Sequence, residues 1–240
     1  MPIGATKVQS VNAVTAVTTS VSASWPAPTT AGNLLVAVVG LSLVSNPSPP
    51  TISPPSGWTT ATGAVAESAA NCRTHLFYIA GSASRSGSET FDWSGALDID
   101  DSVLVLVEWS GLATTSPLDR TANTNGTSVA LAVLSGTTSA TTEADELVIA
   151  AIANRNVSTQ GSPSNGFAQV EQAQSTNGTT SNRVNFAVYS KVVSATGAQS
   201  MQATLSGSTQ RPYAGVVATF KAPAAPAGSW TYGHDVRIGG

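Results

Sequence analysis

Charge is scarce in this chain: Asp, Glu, Lys and Arg together make up only 10% of its 240 residues, against roughly 25% in an ordinary soluble domain. Ten Lys and Arg are scattered without a basic run, so binding to nucleic acid through phosphate neutralisation is not expected. Cys72 is the only cysteine, which excludes an internal disulfide and a zinc site built on thiolates. Aromatic residues make up 6% of the chain, so any core must be filled mainly by small and β-branched side chains. No stretch keeps a 3.6-residue apolar period over three turns, and no Gly-rich phosphate loop or dinucleotide fingerprint is present. The expected cofactor complement is none.

Long apolar runs are missing as well. The most apolar stretch, GNLLVAVVGLSLV (32–44), is followed at once by Pro47, Pro49 and Pro50, whereas a spanning helix needs roughly 20 apolar residues. No membrane insertion is expected. Its β-branched and small residues, closed by a Pro/Ser cluster, read as a strand buried on both faces. The first 25 residues carry one Lys and no continuous apolar core, so they do not read as a secretory signal. The expected setting is synthesis in a host cytoplasm followed by exposure outside it, because the Ser/Thr-rich, ion-poor composition suits an extracellular surface.

What is present is β pattern. VTAVTTSVSASW (14–25) alternates Val with Thr or Ser, the period of a half-buried strand. Short strands follow, punctuated by Gly, Ser, Pro and Asn, with Asn125-Gly126 and Asn177-Gly178 expected as tight turns. Five anchors recur in order. Leu34-Leu35-Val36 matches Leu147-Val148-Ile149, PPSGW ending at Trp58 matches SPSNGF ending at Phe167, and Tyr78 matches Tyr189. Ser94-Gly95 matches Ser206-Gly207, and Trp109 matches Phe220. The near-constant spacing indicates an internal repeat at about 33–113 and 146–224. Each half looks thin alone. The expectation is therefore an all-β, antiparallel β-sandwich of jelly-roll type over residues 1–224, built from two sequence-related halves packed face to face. The connector 118–142 has strand character. Residues 225–240 form a separate tail, a Pro/Ala spacer leading to SWTYGHDVRIGG.

Candidate chemistry is thin. His75 reads as a strand histidine, and His234, beside Asp235, as a contact residue. Asp98, Asp100 and Asp101 could offer oxygens to Ca²⁺, but their spacing lacks the glycine turn and distal Glu of an EF-hand loop, so they read as a solvated loop and no metal site is expected. Asp92 and Glu108 have no evident partner for paired-carboxylate hydrolysis. Trp58 and Trp109 have Phe counterparts in the other half and read as core plugs. The expected contact residues lie in the tail: Trp230, Tyr232, His234 and Arg237, with Trp230 as an aromatic anchor.

The elements Gly32-Asn33-Leu34-Leu35-Val36, Pro55-Ser56-Gly57-Trp58, Tyr78, Phe91-Asp92-Trp93 and Trp109-Ser110-Gly111 resemble a β-sandwich module of bacteriophage virion proteins of the minor-tail type, also seen in actinobacterial surface proteins. The resemblance spans about residues 31–222. It implies a non-enzymatic structural component of a virion, on the tail or as a capsid decoration, acting by protein–protein assembly. The implied partners are other virion proteins and further copies of the chain, a trimer by analogy. The alternative is an adhesin that recognises a host cell-surface glycan.

Overall fold

The computed structural model describes residues 4–16, 19–43, 51–65, 72–94, 99–127, 131–176, 183–207 and 212–224. Within them the chain is all β. The first half forms β1 (Thr6–Ala16), β2 (Ser20–Ser24), β3 (Leu34–Leu43), β4 (Thr51–Ser53), β5 (Thr59–Val65), β6 (Cys72–Ile79), β7 (Ser88–Ser94) and β8 (Ile99–Ser110). The second half forms β9 (Leu118–Thr127), β10 (Ala132–Thr137), β11 (Asp145–Arg155), β12 (Gln160–Gly161), β13 (Ala168–Gln174), β14 (Val184–Ser194), β15 (Ser200–Leu205) and β16 (Pro212–Lys221).

The strands form four antiparallel sheets. The first half contributes β1-β8-β3-β6-β5 and β2-β7-β4, and the second contributes β9-β16-β11-β14-β13 and β10-β15-β12. Setting β9 against β1, these two orders coincide strand for strand. The shared unit therefore begins at the first strand of each half and includes the 118–142 connector, which supplies β9 and β10.

The two five-stranded sheets pack face to face, with β1 against β13, β8 against β14, β3 against β11, β6 against β16 and β5 against β9. Under the strand correspondence, each of these contacts maps onto another or onto itself. That is the signature of a two-fold, self-complementary interface, realised inside one chain. Each large sheet then carries a three-stranded sheet on its outer face. The result is an antiparallel β-sandwich architecture of four layers, with one core between the halves and one within each. Val21, Trp25, Phe77 and Phe91 fill the first half's own core, and Val133, Phe167, Tyr189 and Met201 the second's. Leu34, Val105, Ile149, Phe186 and Phe220 lie between the halves.

This layering explains the apolar runs. Along β3, Leu34, Val36 and Val38 face the central core while Leu35, Ala37 and Val39 face the outer one. All ten residues of β3 are buried. A strand with a core on each side has no reason to alternate.

Several local expectations change. VTAVTTSVSASW is two strands in different sheets: β1 pairs with β8, and β2 with β7. Asn125 and Gly126 do not form a turn. They lie in β9, paired with Ala214 and Tyr213, and the Tyr213 ring occupies the space a side chain at 126 would need. Asn177-Gly178 lies outside the described residues. The repeat register is also off by one in β6 and β14. Val36 pairs with Tyr78 and Ile149 with Ser190, so Tyr78 corresponds to Ser190 and Phe77 to Tyr189. An adjacent pair of aromatics drew the sequence match to the wrong face.

The long edges are interrupted. β1, β5, β13 and β9 each carry or face a register shift: at Lys7/Gln9, at Thr60/Thr62, at Gln169/Glu171, and opposite Ala218/Phe220. Irregular edges of this kind discourage strand addition by another chain.

Candidate functional site

The Gly-Asn-Leu-Leu-Val motif of the first half builds a closed corner rather than an open site. Asn33, at the start of β3, donates from Nδ2 to Glu108 Oε1 at 2.6 Å. Gln9 Nε2 donates to Oε2 at 2.6 Å and the Thr30 amide to Oε1 at 2.7 Å. Burial alone would raise the Glu108 carboxyl, but these donors prevail and hold it below the usual carboxylate range. The Pro-x-Gly-Trp turn has the same economy. Trp58 N–H bonds to Pro55 C=O and Phe167 N–H to Ser164 C=O, with Gly57 and Gly166 at φ of +91° and +76°, a conformation that favours glycine.

The acids read as a solvated loop are internal struts. Asp98 lies outside the described residues, whereas Asp100 and Asp101 belong to β8. Asp101 is fully buried and accepts from Ser175 Oγ at 2.7 Å. Asp100 pairs with Arg155 at 3.7 Å. Both contacts tie the first half to the second. The opposite rim is fixed likewise, with Ser10 Oγ and Asn12 Nδ2 donating to Glu171 at 3.1 and 2.9 Å. Asn123, the two-fold counterpart of Asn12, reaches Thr62 at 3.5 Å. Asp92 is exposed on β7. No cluster of three metal-ligating side chains occurs among the described residues.

His75 stacks on Phe77 with centroids 6.2 Å apart, and its Nε2 is buried without a hydrogen-bond partner. Burial, reinforced by Arg73, pushes its pKa down to about 4. His75 thus lies along β6 with its imidazole held neutral and packed on the neighbouring ring. Trp25, Trp58, Trp93 and Trp109 are all buried and offer no stacking platform for a sugar. The contact residues expected in the tail, Trp230, Tyr232, His234 and Arg237, lie outside the described residues.

Cys72 is fully buried in the central core, where its thiol faces Ala153 C=O at 3.7 Å. Desolvation pushes it up to about 12, against opposing pulls from Arg155 and Arg73. Because the thiolate is the reactive form, Cys72 is expected to resist a thiol-directed chromogenic reagent in native protein at pH 8. It should react stoichiometrically in denaturant; fast native labelling would mean that the halves part readily.

One open concavity stands out on the second half: a shallow cleft of about 280 Å³ where the turn at Ser164 and Asn165 meets β10 and β15 at Leu134, Met201 and Gln202. Asn165 is held there at φ of +56° with Nδ2 donating to Ser200 C=O at 2.9 Å, and Lys191 sits 4.8 Å from the Phe167 ring centre. The lining is mostly amide and hydroxyl, without a titratable pair.

Comparisons with protein-family models, curated proteins and solved structures find no match to this chain.

Proposed function

We propose that this protein is a non-enzymatic structural component of a bacteriophage virion, on the tail or the capsid surface, and acts by protein–protein assembly. A jelly-roll arrangement of each half is part of what we propose, favoured by the way most successive strands pass between its large and small sheets, which divide five and three.

The observation that carries the reading is where the polar chemistry goes. Glu89, Glu108, Asp100, Asp101 and Glu171 are engaged in holding sheets and halves together. Such a molecule is built to present a stiff, ion-poor surface. With the long edges interrupted by register shifts, assembly falls to loops and to residues 225–240, where Trp230, Tyr232, His234 and Arg237 supply the contact chemistry.

The test is mass-resolved solution size of the full chain against a chain ending at Ala222. A full chain that forms a defined oligomer, and a shortened one that stays monomeric, is the expected outcome. Two monomers of equal behaviour would overturn self-assembly through the tail. If a glycan array then gave saturable binding that substitution of Gln202 and Asn165 abolished, the adhesin reading would replace it.

A further inference from the structure

The two-fold relation provides an internal control for every buried polar group, and one corner fails it. In the first half, Asn33 precedes β3 and donates to Glu108 of β8. The cross-strand pairs Leu34–Trp109 and Leu147–Phe220 place Glu146 at the position of Asn33 and Thr219 at that of Glu108. The amide has become an acid, and the acid a hydroxyl. A second acid enters from β9: Asp119, whose carboxylate accepts from Thr142 N and Oγ1 at 2.6 Å each. Glu146 is fully buried, and neither of its oxygens has a well-formed hydrogen bond from a donor. Its neighbour is the Asp119 carboxylate.

We infer that Glu146 and Asp119 share one proton, making this corner a pH-sensitive clasp on the joint between the halves. Two buried carboxyl groups side by side cannot both ionise cheaply. With both Asp119 oxygens already receiving Thr142, the proton resides on Glu146, which donates to Asp119. Desolvation is the largest cause that moves Glu146 up to about 7; Asp119 adds to it through its hydrogen bond and its charge, against smaller opposing pulls from the Thr219 hydroxyl and the Glu143 backbone N–H.

The surrounding groups do not cancel this. β9 brings Arg120, whose Nε lies 3.8 Å from Asp119 and donates to Ala140 C=O. β16 places Lys221 across from Glu146, and β14 places Val193. The β14 lysine, Lys191, is directed to Asn165. Glu143 just before β11 and Asp145 at its first position are acidic as well, so no further cation enters from this strand's start.

The location gives the clasp its consequence. Ala113 N–H bonds Lys221 C=O at 3.0 Å, Lys221 N–H bonds Pro117 C=O at 2.8 Å, and Ala222 N–H bonds Asp145 C=O at 3.0 Å. The segment linking the halves and the end of β16 are thus pinned around the acid pair. Because Glu146 is raised in the folded state, its stabilising effect is complete below the ordinary carboxylate range and is lost as pH rises through about 7. His75, held low, works in the opposite sense over part of this window, so the readout must be a difference between variants.

The experiment compares melting temperature across pH 4.5–8.5 for the full chain and Glu146→Gln, with hydrogen exchange at Ala113, Lys221 and Ala222. Near pH 5 the two should melt together. By pH 8.5 the wild type should melt on the order of 5–10 °C lower, with faster exchange at those three amides than in the variant. If Glu146→Gln fails to fold, carboxyl carbon NMR of the wild type decides, with a Glu146 midpoint near neutral expected. A difference flat in pH, or a Glu146 midpoint in the ordinary carboxylate range, overturns the inference. So does stabilisation of wild type but not Glu146→Gln by added Ca²⁺, which would make a cation and not a proton the bridge.

Discussion

Replacing Glu89 by alanine should cost about 3 kcal/mol of unfolding free energy in urea titration. Glu89 stands in β7 with its side chain only 5% exposed. Arg85 holds it through Nε at 2.6 Å and Nη2 at 2.8 Å. Trp58 Nε1 donates at 3.0 Å and Trp25 Nε1 at 3.3 Å. Truncation strands two indole N–H groups in the outer core, each carrying roughly 1–3 kcal/mol of desolvation penalty. Arg85 is 30% exposed and can turn to water, which is why the expected loss sits at the low end for a broken buried pair. Trp58 also meets Phe91 edge-on at 5.5 Å, so its emission should shift to the red as the ring loosens.

The pH dependence has a definite sign. Burial would raise Glu89, but the hydrogen bonds from Arg85, Trp58 and Trp25 outweigh it and keep the carboxyl below its usual range. Its contribution is present at neutral pH and fades as pH falls through and below the ordinary carboxylate range, the reverse of Glu146. The second half shows that the fold itself does not require this network: Phe91 and Ala203 occupy equivalent register positions, which sets Met201 where Glu89 stands. Phe167 replaces Trp58. A Glu89→Met, Trp58→Phe double variant should accordingly lose less than the two single changes together, measured by the same titration.

How far the sequence could be read depends on which residues carried the signal. The class and the repeat were legible because Leu34–Val39 and Leu147–Ile152 are apolar without helical spacing, and because the Trp58/Phe167 and Trp109/Phe220 anchors cap equivalent strand ends. The small outer sheets were not. β4 and β12 have three and two residues, too short to leave a period, so each half looked too thin for a core of its own. Asp101 looked solvated because an acid beside a strand usually is; only the other half, arriving with Ser175, buries it. The acid corner was hidden for a similar reason. Glu146 and Asp119 are far apart in sequence and meet only through the β9–β16–β11 order, and the contrast with Asn33 appears only once the halves are superposed in register.

The same two-fold comparison locates a close approach of the halves at Gly40. Gly40 pairs with Thr74 in one large sheet, and Ala153 with Phe186 in the other, so these four residues are two-fold mates across the central core. They are not filled alike. Thr74 Oγ1 donates to Ala214 C=O at 2.8 Å and accepts from Ala153 N–H at 3.2 Å, whereas the Phe186 ring lies directly over Gly40. A methyl group at 40 would come within 2.5–3.0 Å of three ring carbons. In a strand, Gly→Ala ordinarily gains up to about 1 kcal/mol, but here the overlap decides the sign. Gly40→Ala should lose roughly 1–3 kcal/mol by overpacking, and Gly40→Val more. Phe186→Ala alone should cost about 3–5 kcal/mol through its cavity. Combining it with Gly40→Ala should recover at least 1 kcal/mol relative to the sum, because each change relieves the other. Simple additivity in the double-mutant cycle would mean that the halves do not press on each other at this point, and that the central core is held by its rims at Asp101–Ser175 and Asn12–Glu171 instead.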